Sequence, residues 1–167
     1  MTMQKRIFLG LLVGLYVVSG MSLFTFFNLK YNSVYYAQHM PHKEGTEPDI
    51  IMLMENKVGA YTPEIDGISY DDDGSYAITR EKGTKTSVLD LTGDTLFFHS
   101  ESDDMYLLNR HFSIQHAFDK RYHKIKYNQR KVIKEIRETV QPVIDAQTKP
   151  LINLQWLFNL IYQSRFN

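Results

Sequence analysis

Cysteine is absent from the 167 residues of this chain. Its absence excludes disulfide bonds, thiol catalysis, cysteine-ligated metal sites and the lipid-attachment cysteine of a lipoprotein. A domain without disulfides has to be stabilised by the burial of apolar surface. An aromatic content of 13% supplies large side chains for that purpose.

Motifs of catalysis and metal binding are also missing. No serine lies in a GxSxG elbow, and there is no glycine-rich phosphate loop. His116, Asp119 and His123 would share one side of a helix, but six histidines in a polar sequence produce such a trio by chance. We therefore predict that the protein is not an enzyme and has no catalytic residue, no metal site and no cofactor.

Charges are missing from residues 7–29, a run of 23 residues. As a helix that rises ~1.5 Å per residue, this run is about 34 Å long, which exceeds the ~30 Å hydrocarbon core of a bilayer. Lys5 and Arg6 precede the run and Lys30 follows it. Because short segments rich in Lys and Arg stay in the cytoplasm, residues 1–6 are predicted to be cytoplasmic and the chain after the span extracytoplasmic.

A cleaved signal peptide is the alternative interpretation of this segment, with a small-residue cleavage site at Val18, Ser19 and Gly20. Residues 21–27 continue apolar and aromatic, so cleavage would leave an apolar new terminus, and we favour an uncleaved signal anchor. Gly10 and Gly14 form a GxxxG pair that could let two such helices approach closely. The ordinary glycine content of membrane helices explains the pair as well.

The net charge of zero hides a segregation of sign along the chain. Residues 44–104 contain fifteen acidic and four basic residues, whereas residues 105–149 contain ten basic and four acidic residues. The two halves could neutralise each other by packing, or the basic half could face anionic lipid or an acidic partner. Nucleic acid is not expected as a partner, because the domain is predicted to lie outside the cytoplasm.

Short apolar runs separated by turn residues make residues 49–110 typical of an antiparallel meander. The predicted strands are residues 50–55, 57–62, 67–70, 75–80, 86–91, 95–100 and 105–110. Turns are predicted at residues 71–74, 81–84 and 92–94, where Asp and Gly tolerate the required backbone. Sequential hairpins of this kind form a curled, lipocalin-like sheet or a partial barrel with one apolar face.

The apolar face of this sheet is the candidate site for a small hydrophobic ligand or a partner strand. The residues that would line or rim it are Tyr70, Tyr76, Phe97, Phe98, Tyr106 and Leu108. For so small a sheet, filling of the inner face by its own side chains is the simpler expectation.

Helical segments are predicted on both sides of the meander, which makes the fold class α+β. Residues 30–48 are predicted to be a juxtamembrane helix that stops near Pro41, followed by a linker. Residues 111–141 are predicted to form one basic amphipathic helix, with an apolar stripe at steps of three and four. That stripe is Phe118, Tyr122, Ile125, Gln129, Val132, Ile136 and Val140.

A last amphipathic helix is predicted over residues 150–166. Trp156 and Phe158 belong to its apolar surface and are candidate partner contacts. This helix could pack on the sheet, lie on the outer face of the membrane or meet a partner subunit.

The layout of a short cytoplasmic start, one span and a meander containing Ile68, Tyr70, Gly74 and Tyr76 in an I-x-Y-x-x-x-G-x-Y pattern resembles ToxS-type proteins and, by architecture, VtrC-type subunits. The resemblance covers roughly residues 1–110. It implies an accessory protein of a Gram-negative inner membrane, with a periplasmic domain that pairs with a membrane-bound transcription activator. In some such pairs the joint barrel senses bile salts. No ligand residue follows from it.

The sequence therefore predicts a single-pass inner-membrane protein whose periplasmic β domain binds and stabilises a membrane partner in a hetero-oligomer. A small amphipathic ligand is a further expectation. The alternative is a structural or assembly component of a secretion or pilus-type envelope machine, which would dock through the basic helix and the Trp156 segment.

Overall fold

One long helix, α1 (Met3–Tyr31), begins the computed structural model, which describes residues 3–55, 61–71 and 76–167. Its apolar side chains are exposed along most of its length, including Leu15 at 64% and Phe27 at 63%. Among the described residues it is the one helix long and apolar enough to cross a membrane. The predicted helix over residues 7–29 is therefore present.

Two short helices follow α1. The predicted continuation over residues 30–48 is interrupted at Asn32, after which α2 (Ser33–Gln38) ends before Pro41. The strand predicted at residues 50–55 is wrong, because this segment belongs to α3 (Pro48–Glu55). Pro48 favours a helix, because proline is suited to the first helical position. Residues 50–54 are buried on all sides, and such an environment stabilises a helix that is apolar on all sides.

Six antiparallel strands form one sheet in the order β1 to β6, and this confirms the predicted meander and the α+β class. The strands are β1 (Ile68–Asp71), β2 (Tyr76–Lys82), β3 (Lys85–Thr92), β4 (Thr95–His99), β5 (Met105–Asn109) and β6 (Ile114–Phe118). The sheet is open, since β1 and β6 are not paired with each other within the described residues. Gly83 and Gly93, with φ of 63° and 60°, lie at two of the predicted turns.

Two sequence predictions fall partly outside the described residues. Of the strand predicted at residues 57–62, only Tyr61 and Thr62 are described, and they belong to no helix or strand. Of the turn predicted at residues 71–74, only Asp71 is described, at the end of β1.

The single helix predicted over residues 111–141 is wrong in its first half. β6 occupies part of that segment, and α4 runs from Gln129 to Asp145. Asn128 caps α4, its side chain accepting a hydrogen bond from the Lys131 amide at 3.3 Å. The side-chain oxygen of Asn109 accepts hydrogen bonds from the amides of His111 and Ser113. These two bonds stabilise the turn that leads from β5 into β6.

Helix α4 covers one face of the sheet, and we call this the inner face. Ile136 and Val140 of α4 are fully buried in the same core as Ile78 and Leu89 of the sheet. A buried hydrogen bond of 2.9 Å between the hydroxyls of Ser87 and Thr139 joins β3 to α4. The apolar stripe over α4 was thus predicted at the right residues, although the helix starts later.

The chain ends with α5 (Gln155–Tyr162) and a 3-10 turn (Gln163–Arg165). The helix predicted over residues 150–166 is therefore present but shorter. Lys43 donates its amide to the Phe166 carbonyl at 2.9 Å, which joins the C-terminus to the loop after α2.

The segregated charges meet across the fold, as the packing alternative predicted. Arg137 of α4 makes hydrogen-bonded ion pairs with Asp49 and Glu47, and Arg165 makes one with Glu55. Arg110 also reaches Glu55, at 3.2 Å. Arg110 and Arg137 of the basic half, and Arg165 beyond it, are thereby paired with carboxylates of the acidic half.

Candidate functional site

The inner face of the sheet does not form an open ligand site. Tyr76, Phe98, Tyr106 and Leu108 are at most 7% exposed and belong to the core that α4 covers. Tyr70 is half-buried at the end of this face, and its hydroxyl donates to the Pro63 carbonyl at 2.9 Å. Five of the six predicted lining residues therefore lie on the same face. Four of them are part of the packed core, and Tyr70 lies at its edge.

Phe97 lies on the opposite face, because successive strand residues point to opposite sides. We call this the outer sheet face. Half-buried apolar side chains from β3, β4, β5 and β6 share this face, and among them Phe97 pairs with Leu107 and Met105 with Phe118. They are Val88, Phe97, Met105, Leu107 and Phe118.

A groove of about 400 Å³ opens on this outer sheet face. Val88, His99 and Met105 form part of its wall, and Lys120 and Tyr122 from the loop after β6 form the other side. Apolar side chains such as Val88 and Met105 therefore lie beside charged ones such as Asp119 and Lys120, and this mixture suits a small amphipathic molecule or a partner side chain. The sequence located Phe97 on a strand but carried no signal for which sheet face would stay uncovered.

The junction between α1 and the rest of the chain is the most heavily bonded feature that the sequence did not reveal. The side-chain amide of Asn28 donates to the Ile152 carbonyl at 3.1 Å. The Tyr36 hydroxyl lies 2.6 Å from the Asn28 side-chain oxygen and accepts from the Leu154 amide at 3.1 Å. Burial raises the pKa of Tyr36, so this hydroxyl stays protonated and can donate.

Apolar packing strengthens the same junction. Leu29, in the last turns of α1, is only 8% exposed and belongs to the core. The Tyr31 ring contacts the Tyr61 ring with centroids 5.6 Å apart, and the Tyr31 carbonyl accepts the Tyr61 amide at 3.2 Å. The end of α1 is therefore an integral part of the folded domain.

The two candidate residues of α5 have different environments. Phe158 is fully buried, with its ring 5.3 Å from that of Tyr36 and 4.6 Å from that of Tyr162. Trp156 is 66% exposed. Phe158 therefore holds α5 on α2, and Trp156 belongs to a surface.

That surface consists of exposed apolar side chains beside the α1 junction, and we call it the C-terminal apolar surface. Its members are Leu151, Ile152, Trp156, Leu160 and Ile161, which are between 50% and 105% exposed. Trp156 and Leu160 are one helical turn apart and share a face of α5. The amphipathic pattern of the segment indicated this surface, but not its position next to Asn28.

A polar cleft of about 250 Å³ lies between α4 and the sheet. Arg80, Lys85 and Lys131 face Glu101, Glu135 and Glu138 across it. Lys85 pairs with Glu101 at 3.1 Å and Lys131 with Glu135 at 3.6 Å, so opposite charges neutralise each other there. The cleft has no charge excess that would select an ionic ligand.

Several exposed basic residues lie in the loop before α4 and in its first turns, including Arg121, Lys124 and Arg130. The other end of α4 lies near α1, because Gln147 donates to the Tyr61 carbonyl at 3.1 Å. A helix of 17 residues separates the two ends by about 25 Å. These basic residues therefore point away from the end of α1.

The histidine trio is not on a helix. His116 lies on β6, and the Asp119 carboxylate accepts the amides of Arg121 at 2.8 Å and His123 at 2.9 Å in the following turn. The hydrogen bond from His123 is the main cause that lowers the pKa of Asp119. No cluster of three His, Asp or Glu with metal-binding geometry occurs in the part of the chain that the structure describes.

Gly10 and Gly14 lie on the exposed surface of α1. A Cβ added at either position would meet no atom within 4 Å, so nothing in the fold itself requires glycine there.

Comparison with known proteins identified no relative. No protein-family model, no curated protein and no solved structure matches the chain.

Proposed function

We propose that the protein is a single-pass, N-in accessory protein of a bacterial inner membrane whose periplasmic β domain binds and stabilises a second membrane protein. The junction between α1 and the domain is the observation that carries this proposal. Because Leu29 is in the core and Asn28 bonds to Ile152, the domain is held at a defined height and angle at the end of the span. Such an arrangement suits a partner that is fixed in the same membrane.

The exposure of the second half of α1 supports retention of the anchor. Cleavage after Gly20 would leave Met21, Leu23, Phe24 and Phe26 at the new terminus, all between 48% and 67% exposed. Apolar side chains in that number are costly in water and favourable in lipid. This supports an uncleaved signal anchor.

The partner contact is assigned to the outer sheet face. The inner face is already covered by α4, whereas the outer face presents Phe97 and Leu107 in adjacent strands without a helix over them in the described residues. Antiparallel sheets that face water on one side are usually polar on that side. A half-apolar outer face therefore favours contact with the extracytoplasmic domain of a partner, and the outer-face groove is the place for any small amphipathic ligand.

The resemblance to ToxS-type proteins makes a transmembrane transcription regulator the partner class to test first. A component of an envelope machine is the alternative partner class. The identity of the captured partner distinguishes the two.

The experiment is site-specific photocrosslinking in intact cells of the organism that encodes the chain. The crosslinking residue replaces Phe97, and a matched variant carries it at Thr84, an exposed residue in the turn between β2 and β3. We expect Phe97, but not Thr84, to capture an integral membrane protein. We also expect the level of that protein to fall when the gene for this chain is deleted, because the domain stabilises it.

Equal crosslinking from both positions would contradict the assignment of the outer sheet face. Capture from Phe97 of a soluble periplasmic protein, or an unchanged partner level after deletion, would contradict the proposed function itself.

A further inference from the structure

Exposed apolar residues outside α1 are concentrated in one place. Within residues 32–55, 61–71 and 76–167, seven large apolar side chains are more than about one-third exposed: five form the C-terminal apolar surface, and the other two are Tyr122 and Tyr127. Exposed apolar side chains that cluster rather than scatter mark an interaction site. The question is which occupant covers this surface.

The position of the surface along α1 answers that question. A hydrocarbon core of ~30 Å takes about 20 helical residues, so a core that begins at Ile7 ends near Phe26. Asn28 then lies about 3 Å beyond the core, within the headgroup region. The Ile152 carbonyl is 3.1 Å from the Asn28 side-chain nitrogen, so Leu151 and Ile152 lie at the same depth.

The chemistry of the residues matches that depth. Tryptophan is enriched at membrane interfaces, because its apolar ring can contact the acyl chains while its N–H bonds to water or to the headgroups. Lys149, two residues before Leu151, and Lys30, in the last turn of α1, supply two cations that would lie beside the lipid phosphates. Leu151 is fully exposed in the described structure, and no protein group covers it there.

We propose that the C-terminal apolar surface inserts into the outer interface of the membrane that α1 spans, and that its occupant is the lipid bilayer. The proposal builds on the membrane span of the proposed function and adds a second attachment beside it. A single helix leaves the tilt of a domain relative to the membrane free to vary, whereas a second attachment beside the helix restricts that tilt. The outer sheet face is thereby held at a fixed angle to the membrane plane.

Trp156 is the single tryptophan of the chain, which gives a native probe for the test. The full-length protein is reconstituted into vesicles of phosphatidylethanolamine and phosphatidylglycerol, in which a fraction of the lipid carries bromine either near the headgroup or near the end of the acyl chain. Because tryptophan prefers the interface, we expect about a twofold loss of Trp156 emission with bromine near the headgroup and a smaller loss with bromine near the chain end.

Two variants in a Trp156→Phe background provide matched controls. Tyr122→Trp places the probe at a residue that is 76% exposed, close to the 66% of Trp156, and we expect neither brominated lipid to quench it. Tyr16→Trp places the probe at the middle of the predicted span, where bromine near the chain end should quench most.

The outcomes separate this proposal from the proposed span. If Tyr16→Trp is quenched by bromine near the chain end and Trp156 is not quenched by either lipid, the surface does not insert, although the span stands. If Tyr16→Trp is also unquenched, the span itself is wrong. If Trp156 is protected from iodide, a water-soluble quencher, but is not quenched by bromine, then protein covers the surface. If Tyr122→Trp is quenched as much as Trp156, then the whole domain lies on the membrane. Either result overturns the proposal.

Discussion

The Tyr36 hydroxyl donates a hydrogen bond of 2.6 Å to the side-chain oxygen of Asn28, eight residues earlier in the chain. The same hydroxyl accepts the amide of Leu154, 118 residues later. One oxygen therefore joins the end of α1, helix α2 and the segment that leads into α5. Tyr36 itself is fully buried.

Replacement of this hydroxyl tests the junction. We expect Tyr36→Phe to lower the free energy of unfolding by about 1–2 kcal/mol, because it removes the partner of two partly buried groups, the Asn28 side-chain oxygen and the Leu154 amide. The measurement is denaturant unfolding of the full chain in detergent micelles, followed by Trp156 emission. Tyr35→Phe is the matched control, since the Tyr35 ring stacks on His39 and its hydroxyl makes no hydrogen bond within the described residues. Equal losses in both variants would show that the hydroxyl does not hold the junction.

The ion pair between Arg137 and Asp49 gives a second prediction. Arg137 donates to both oxygens of Asp49, at 3.0 and 3.1 Å, and also to Glu47. Burial of the guanidinium alone would lower the pKa of Arg137, but the hydrogen bonds to Asp49 and Glu47 outweigh it. The net effect raises the pKa above its ordinary value, so the group stays charged. These contacts join α4 to α3.

Removal of this arginine leaves Asp49 buried at 7% exposure without its cation. Loss of one partner of a fully buried pair costs about 3–5 kcal/mol, and with partial screening by solvent we expect Arg137→Ala to cost about 2–3 kcal/mol. Lys134→Ala on the same helix is the control: its pair with Glu138, 3.6 Å long, is exposed, and its loss should change stability by less than about 0.5 kcal/mol. Thermal or denaturant unfolding of both variants makes the comparison, and a cost for Arg137→Ala as small as that of the control would contradict the prediction.

Alkaline pH should destabilise the domain through Tyr70. Burial, with a smaller contribution from the nearby Tyr61, raises the pKa of Tyr70 from an ordinary value of 10.0 to about 12. Between these values the unfolded chain has lost the proton and the folded chain has kept it, so the free energy of unfolding falls as pH rises. Below the unfolded value this contribution is fully present.

A comparison of variants over that pH range tests the assignment. We expect Tyr70→Phe to show a shallower fall in unfolding free energy between pH 10.0 and about 12 than the unsubstituted protein. Some fall remains, because burial also raises the pKa of Tyr36 and of Tyr106. Tyr122→Phe, at an exposed position, should leave the slope unchanged; an unchanged slope in Tyr70→Phe as well would contradict the role of Tyr70.

Gly10 and Gly14 provide a prediction about α1, the helix that is long and apolar enough to span a membrane. A Cβ added at either position meets no other part of the fold within 4 Å, so we expect substitution there to leave the fold intact. If the pair contacts a partner helix, Gly10→Ile together with Gly14→Ile should weaken co-purification of the membrane partner, because bulk at a small-residue contact separates the helices. Gly20→Ile is the control, since it is equally open but lies about 100° away around the helix. Unchanged co-purification of the double variant would remove the glycine pair from the contact.

The β-hairpins were predictable because their information is local. Turns around Gly83 and Gly93 need a positive φ, and alternation places Ile78, Leu89 and Phe98 on one side. The segment at residues 50–55 was predicted wrongly because a continuous apolar run is compatible with either a buried strand or a buried helix. Its environment between α2 and α4 selects the helix.

The helix predicted from His111 failed for a related reason. Phe118, Tyr122 and Ile125 continue by chance the spacing of Val132 and Ile136, so one periodic stripe runs across two elements. In the fold, Phe118 is on β6 and Tyr122 is in the following loop, where pairing with β5 overrides the helical pattern. The stripe is a true core face only within α4.

In the candidate site, too, the local pattern was predictable and the tertiary packing was not. Strand alternation separates Phe97 from Phe98, but it does not say which of the two faces a helix will cover. That depends on α4, which packs on the side of Phe98 and leaves Phe97 on the outer sheet face. The predicted ligand-lining residues became core for that reason.

The sequence by itself determined the long uncharged helix, the order of the hairpins and the apolar face of α4, because each depends on neighbours within a few residues. Only the tertiary structure decided that Asn28 would meet Ile152, 124 residues away, and that the domain would be joined firmly to the end of α1. Contacts at such a separation depend on how all the intervening elements pack, and no local pattern of residues encodes that packing.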